Sequence, residues 1–141
     1  MPPSHTKWAE PVAALLLLAL ASPGQADRIE RGRYLLTATG CTICHTAPEG
    51  GEYLAGGRRF ETPFGTFVSP NITPHPTQGI GRWTEAQFYR ALREGVGPEG
   101  HYFPVFPFTS YTRMTDEDVA DLWHYLRTVE PSDRANTPHN T

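Results

Sequence analysis

The chain has 141 residues and a formal net charge of −3, so it has room for one folded domain and no excess of basic residues for binding the phosphates of a nucleic acid. Its 13 glycines and 14 prolines predict a domain rich in loops. A small domain of this kind is often stabilised by a disulfide, a metal or a cofactor. The two cysteines of the chain are the first candidates for providing such a link.

The first 26 residues have the pattern of a secretory signal peptide. A short segment containing Lys7 precedes an apolar run at residues 12–21, and small residues lead up to Ala26. A retained membrane anchor is the alternative, but a span needs about 20 apolar residues. We predict cleavage after Ala26, a periplasmic location, and no transmembrane helix afterwards. The folded domain is expected at residues 27–131, followed by a flexible polar tail at residues 132–141.

Three helices are predicted within this domain. The first covers residues 27–38 and leads directly into the cysteine-containing segment. The second covers residues 84–94 and begins with a capping box, Thr84 and Gln87. The third covers residues 115–130, with three acidic residues in its first turn and apolar residues spaced by three, four and seven. The intervening loops show no sustained period of two, so we expect an all-α domain with little or no strand.

The two cysteines lie in the segment Cys41-Thr42-Ile43-Cys44-His45. A thiol–disulfide centre usually has this spacing at the start of a helix within a strand–helix–strand domain, and no such pattern surrounds it here. A structural zinc site needs four ligands, and no second Cys or His pair is present. A disulfide within the motif would close only a very short loop.

The motif as a whole is typical of covalent haem attachment. The thiols of Cys41 and Cys44 can add to the two vinyl groups of one haem, and His45 then lies next to the iron as its proximal ligand. Haem of this type is attached outside the cytoplasm, which agrees with the predicted export. The sequence therefore predicts one covalently bound haem c.

Longer stretches resemble a known family. ERGRYLLTATG, running into CTICH, and TDEDVADLWHYLRT resemble the two end helices of class I cytochromes c. GGRRFETPFGTFVSPNITP, GIGRWTEAQFYRALREGV and YFPVFPFTSYTRMTDEDV resemble the cytochrome c domains that accompany periplasmic dehydrogenases. The resemblance covers nearly all of residues 27–130. It implies a cytochrome c fold of three or four short helices and long loops around one haem, with Gly32 packed against Trp123 or Tyr125.

The resemblance also implies a second axial iron ligand. Met114 is the single methionine after the leader and lies in the loop before the last helix, where class I cytochromes place theirs. Related domains carry a methionine in a proline-rich segment in which this chain has Phe106. His101 and His75 are the alternative ligands.

Other loop residues have expected roles around the haem. Trp83, Arg82, Arg58 and Arg59 could reach its propionates, and Asn71 could bond a nearby loop backbone. Aromatic side chains of the two long loops are expected to cover the macrocycle: Phe60, Phe64, Phe67, Phe103, Phe106, Phe108 and Tyr111.

The implied function is electron transfer without substrate chemistry. A periplasmic dehydrogenase would donate one electron at a time to the haem, and a downstream cytochrome or oxidase would accept it. One alternative is a haem protein with an open sixth position that binds or senses a gas, a peroxide or a sulfur compound. Another is a non-haem structural or thiol-redox domain.

Overall fold

The computed structural model describes residues 24–141, so most of the predicted signal peptide lies outside the described residues. Four α-helices, two short strand pairs and one 3₁₀ turn follow each other in this part of the chain. Their order is α1 Gln25–Ala38, α2 Cys41–His45, β1 Arg59–Thr62, β2 Gly65–Val68, α3 Glu85–Glu94, β3 Val96–Gly97, β4 Gly100–His101, the turn Phe108–Tyr111 and α4 Asp116–Leu126.

The predicted helices are confirmed, and the segment Cys41–His45 itself forms the short helix α2. Helix α3 begins with the expected capping box, in which the Gln87 N–H donates to Thr84 Oγ1 at 3.2 Å and the Thr84 N–H donates to Gln87 Oε1 at 2.9 Å. Helix α4 begins with the same device and ends at Leu126, earlier than predicted, because the Thr128 N–H bonds the Tyr125 carbonyl in a tighter turn.

The expectation of little or no strand is only roughly met. Strands β1 and β2 form an antiparallel hairpin in which Phe60 lies opposite Phe67, and β3 and β4 form a two-residue pair. Each strand has four residues or fewer, too short for a period of two to stand out in the sequence. The domain is therefore mainly helical, with two small sheets.

Helices α1 and α4 pack directly on each other at Gly32. A Cβ at this position would overlap the backbone carbonyl of Asp121 and lie 2.7 Å from the Cβ of Tyr125. Tyr125, rather than Trp123, is thus the aromatic residue next to this glycine. Beside the contact, Arg28 Nε donates to Asp121 Oδ1 at 2.7 Å. This ion pair gives the buried carboxylate of Asp121 a partner of opposite charge.

Gly32→Ala should destabilise the holoprotein. The added methyl group forces the two helices apart, and overpacking of this kind costs about 1–3 kcal/mol. The measurement is the free energy of unfolding from a denaturant titration, with Thr37→Ala on an exposed position of the same helix as the control. Equal stability of the two variants would contradict the close contact.

The core lies between α1, α3 and α4 and the loops that connect them. Its buried members form one cluster: Leu36, Leu54, Ile80, Phe88, Leu92, Val119, Leu122, Trp123 and Leu126. No helix within residues 24–141 has the length and apolar character needed to cross a membrane.

Candidate haem site

A cavity of about 620 Å³ opens beside this core. Helix residues form its apolar floor, and the three functional residues of the predicted motif, Cys41, Cys44 and His45, also line it. The floor residues are Leu36, Phe88, Ala91, Leu92, Leu122 and Leu126. An apolar cavity with a few convergent polar groups is the usual form of a cofactor site.

Helix α2 brings both cysteines to one wall of the cavity. It begins after Gly40, whose φ of 84° is in the left-handed region and reverses the chain direction at the end of α1. Residues three apart on a helix share a face, so Cys41 and Cys44 are directed to the same side. Both are free thiols, and burial raises the pKa of the Cys41 thiol. A reactive redox cysteine needs a lowered pKa, so the environment of Cys41 does not suit that chemistry.

The ring of His45 is held in the tautomer that a metal ligand requires. Its Nδ1 lies 2.8 Å from the carbonyl oxygen of Pro70, which can only accept, so Nδ1 carries the proton and Nε2 keeps a lone pair. Burial lowers the pKa of His45 below its ordinary value, against the opposing effect of the Pro70 carbonyl. The ring is therefore neutral at physiological pH, as iron ligation needs.

These residues fit a covalently attached haem. Two thiols and one neutral imidazole reach the same apolar cavity, and a haem needs these donors together with an apolar environment for its macrocycle. The aromatic loops contribute to that environment as expected, except for Phe64 and Phe108, which lie outside the cavity. Five of the seven aromatic residues named from the sequence line it: Phe60, Phe67, Phe103, Phe106 and Tyr111.

The structure does not bring Met114 to this cavity. Its half-buried side chain packs against the core cluster, and its carbonyl accepts a hydrogen bond from Arg93. Of the alternative ligands, His101 lines the cavity from β4, whereas Nδ1 of His75 accepts the N–H of Gln78 at 3.0 Å within a tight turn. Met114 as the distal ligand stays a prediction.

Of the other loop residues named from the sequence, some lie at the cavity and others do not. Trp83 lines the cavity, whereas the arginines named from the sequence, Arg58 among them, do not. Arg58 instead donates to the carbonyl of Ile43 in the x-x part of the motif at 3.3 Å. Asn71 is buried, at 2 % exposure, and bonds loop backbone through both ends of its amide, as expected.

Sequence reasoning missed one part of the cavity wall. Residues 136–139, which fall in the predicted polar tail, line the cavity beside Thr77 and Gln78. The segment is polar and has no apolar periodicity, so the sequence gives no signal that it packs against the domain.

Comparisons with known proteins identify the family. The family model described as cytochrome c matches residues 29–130, which is more than half of the chain. The chain therefore belongs to the cytochrome c family.

Several curated relatives are similar over most of this chain. A diheme cytochrome c-type protein of Cereibacter sphaeroides is 50% identical over 122 residues, which cover 83% of this chain and 41% of the relative. The fructose dehydrogenase cytochrome subunit of Gluconobacter japonicus is 45% identical over 116 residues, covering 79% of this chain and 24% of the relative. The cytochrome c subunit of the alcohol dehydrogenase (quinone) of Gluconacetobacter polyoxogenes is 44% identical over 120 residues, covering 81% and 25%. The chain thus spans less than half the length of these relatives.

Proposed function

We propose that this protein is an exported cytochrome c that carries single electrons through one covalently attached haem. The observation that carries the proposal is the convergence of Cys41, Cys44 and a tautomerically fixed His45 on one apolar cavity of about 620 Å³. The proposal of a single haem rests on the chain's two cysteines, which suffice for one CxxCH motif.

Each residue of the motif has a distinct role. The thiols of Cys41 and Cys44 would hold the haem through thioether bonds to its vinyl groups, and Nε2 of His45 would bind the iron while the Pro70 carbonyl fixes the orientation of the ring through Nδ1. The bound haem supplies the Fe(II)/Fe(III) couple. The apolar floor excludes water from the macrocycle, which is one of the means by which proteins control a haem potential. Met114 is the proposed sixth ligand, since it is the single thioether within residues 24–141.

The proposed donor is a periplasmic dehydrogenase, and the proposed acceptor is a downstream cytochrome or oxidase. The names of the relatives support the donor, because fructose, alcohol and gluconate dehydrogenases each have a cytochrome subunit similar to this chain. The predicted leader supports the periplasmic location. Such electron-transfer contacts are small and short-lived, which suits repeated turnover.

A second candidate function is favoured by the position of Met114 outside the cavity wall. A haem with no sixth protein ligand would bind a gas or another small molecule instead of only passing electrons.

The experiment that tests both is spectroscopy of protein matured in a periplasm competent for haem attachment. We expect a red protein, a mass increased by one covalent haem, and a ferrous spectrum that carbon monoxide leaves unchanged. A colourless protein would contradict haem attachment altogether. Immediate carbon monoxide binding would instead support the second candidate.

A further inference from the structure

The chain after α4 is hydrogen-bonded to loops beside the cavity and forms part of the cavity wall. We refer to residues 132–140 as the C-terminal strap. At its start, the Ser132 N–H donates to Thr73 Oγ1 at 3.1 Å, and Asn71 Nδ2 donates to the carbonyls of Ser132 and Arg134 at 2.9 and 3.0 Å. These bonds lie among buried residues, since Ser132, Asn71 and Thr73 are at most 6 % exposed. Because buried polar bonds of this kind are costly to break, the start of the strap is firmly held.

The middle and end of the strap are held as well. Asn136 Oδ1 accepts the Asn71 N–H at 2.7 Å, and Asn136 Nδ2 donates to the Gln78 carbonyl at 3.1 Å. Near the end, the backbones of Asn140 and Thr66 exchange two hydrogen bonds of 2.8 and 3.0 Å. The strap therefore connects the loop at residues 71–78 to strand β2 and places residues 136–139 on the cavity wall.

His139, an exposed residue, carries the one aromatic ring of the strap. The ring lies against Phe67 and Phe103, with centroid distances of 5.3 and 5.4 Å. Its Nδ1 accepts the backbone N–H of Val68 at 3.1 Å. An amide N–H can only donate, so in the neutral ring the proton is on Nε2.

The two histidines both line this cavity, and in their neutral forms they carry the ring proton on different nitrogens. His45 donates through Nδ1 to a carbonyl and keeps a lone pair at Nε2, whereas His139 accepts at Nδ1 and keeps a proton at Nε2. A neutral ring in the His139 arrangement cannot bind iron through Nε2, but it can donate a hydrogen bond. No group within residues 24–141 accepts a hydrogen bond from this Nε2.

The polar part of the cavity wall indicates which acceptor that donor meets. Thr77, Gln78, Asn136, Thr137 and His139 line the cavity and are called the polar rim here, whereas the floor built by the helices is apolar. Glu99 and His101 also line the cavity, but a carboxylate such as Glu99 would repel a second carboxylate. A haem has one polar edge, which carries its two propionate carboxylates, and its remaining surface is apolar. Burial of the apolar surface on the floor directs the carboxylates to the rim.

We infer that His139, held by the C-terminal strap, donates a hydrogen bond from Nε2 to a haem propionate. The inference rests on the proposed function, since it requires a bound haem. His139 acts as a positioning residue whose donor neutralises part of the carboxylate charge. Loss of the donor leaves more negative charge near the iron, which favours Fe(III) and lowers the reduction potential.

Three substitutions of His139 in the holoprotein distinguish the acceptor role of Nδ1 from the donor role of Nε2. His139→Asn keeps an acceptor for the Val68 N–H but has no donor at the position of Nε2. His139→Gln keeps a donor at that distance, and His139→Phe keeps the ring packing with neither nitrogen. We expect lower midpoint potentials for His139→Asn and His139→Phe than for wild type, and a potential near wild type for His139→Gln. His124→Asn, on α4 and off the cavity wall, is the matched control and should have no effect.

Nitrogen-15 spectra of the histidine-labelled reduced wild type supply a second readout. We expect His139 to have a slowly exchanging proton on Nε2 and none on Nδ1. Unchanged potentials in His139→Asn, or equal shifts in His139→Asn and His139→Gln, would overturn the inference. So would carbon monoxide binding acquired by His139→Asn, which would make the ring an iron ligand. Wild type without covalent haem would overturn the proposed function itself, which distinguishes the two failures.

Discussion

Replacing Cys41 and Cys44 together by alanine should abolish haem attachment and with it the folded domain. The haem is the proposed occupant of a cavity of about 620 Å³ that adjoins the core. Without the haem, water reaches the apolar floor of this cavity, and each apolar side chain that loses its burial costs about 1.5–3 kcal/mol. A small domain has only about 5–15 kcal/mol of stability in total, so the apoprotein should not persist.

The measurement is covalent haem content by mass, together with circular dichroism of the purified chain. Thr42→Ala is the matched control within the same motif, because Thr42 Oγ1 is buried without a hydrogen-bond partner and its removal costs little. We expect the control to be red and folded, and the double variant to be colourless and unfolded or degraded. A double variant that folds without haem would show that the protein core suffices by itself.

The single variants should distinguish covalent attachment of the haem from ligation of its iron. Cys41→Ala leaves the Cys44 thioether and His45 in place, so the haem can still be bonded at one vinyl group and ligated. We expect a lower yield of red protein with a shifted spectrum. His45→Ala removes the ligand and keeps both thiols, so we expect attached haem with a high-spin spectrum, which imidazole should reverse.

The parts of this fold that sequence predicts are those determined by local chemistry. The capping box of Thr84 and Gln87 needs only two side chains and their own backbone, and it forms as expected. The CxxCH motif is likewise local, because one helical turn brings both cysteines to the same side. Gly32 was identified by resemblance, and its contact with α4 follows from the crossing of the two end helices.

The parts that sequence reasoning missed depend on contacts between distant segments. The strap is held by Asn71, which lies more than 60 residues from Ser132 and Asn136 along the chain, and nothing in its composition shows these bonds. The same limit applies to the tautomers of His45 and His139, since each is determined by a backbone group that folding brings to Nδ1. A sequence pattern can therefore predict which residue binds haem, but not how the ring of that residue is held.

Replacing Met114 by leucine should remove the sixth iron ligand without unfolding the protein. Leucine has a volume similar to that of methionine, and such swaps usually cost less than about 1.5 kcal/mol. Loss of the thioether should abolish the far-red charge-transfer band of methionine-ligated Fe(III), allow carbon monoxide to bind Fe(II), and lower the reduction potential. Ligation requires the Met114 side chain to leave its packing in the core and reach the cavity, where Tyr111 of the same loop already lies.

The competing ligand is tested by His101→Asn in parallel. His101 lines the cavity from β4, and its imidazole is the alternative to the thioether that was named from the sequence. If Met114→Leu keeps the wild-type spectrum while His101→Asn loses it, the iron has two histidine ligands and a lower potential than a methionine-ligated haem. If neither substitution changes the spectrum and wild type already binds carbon monoxide, the sixth position is open. Phe106, which lines the cavity, then stands where the resemblance places a methionine.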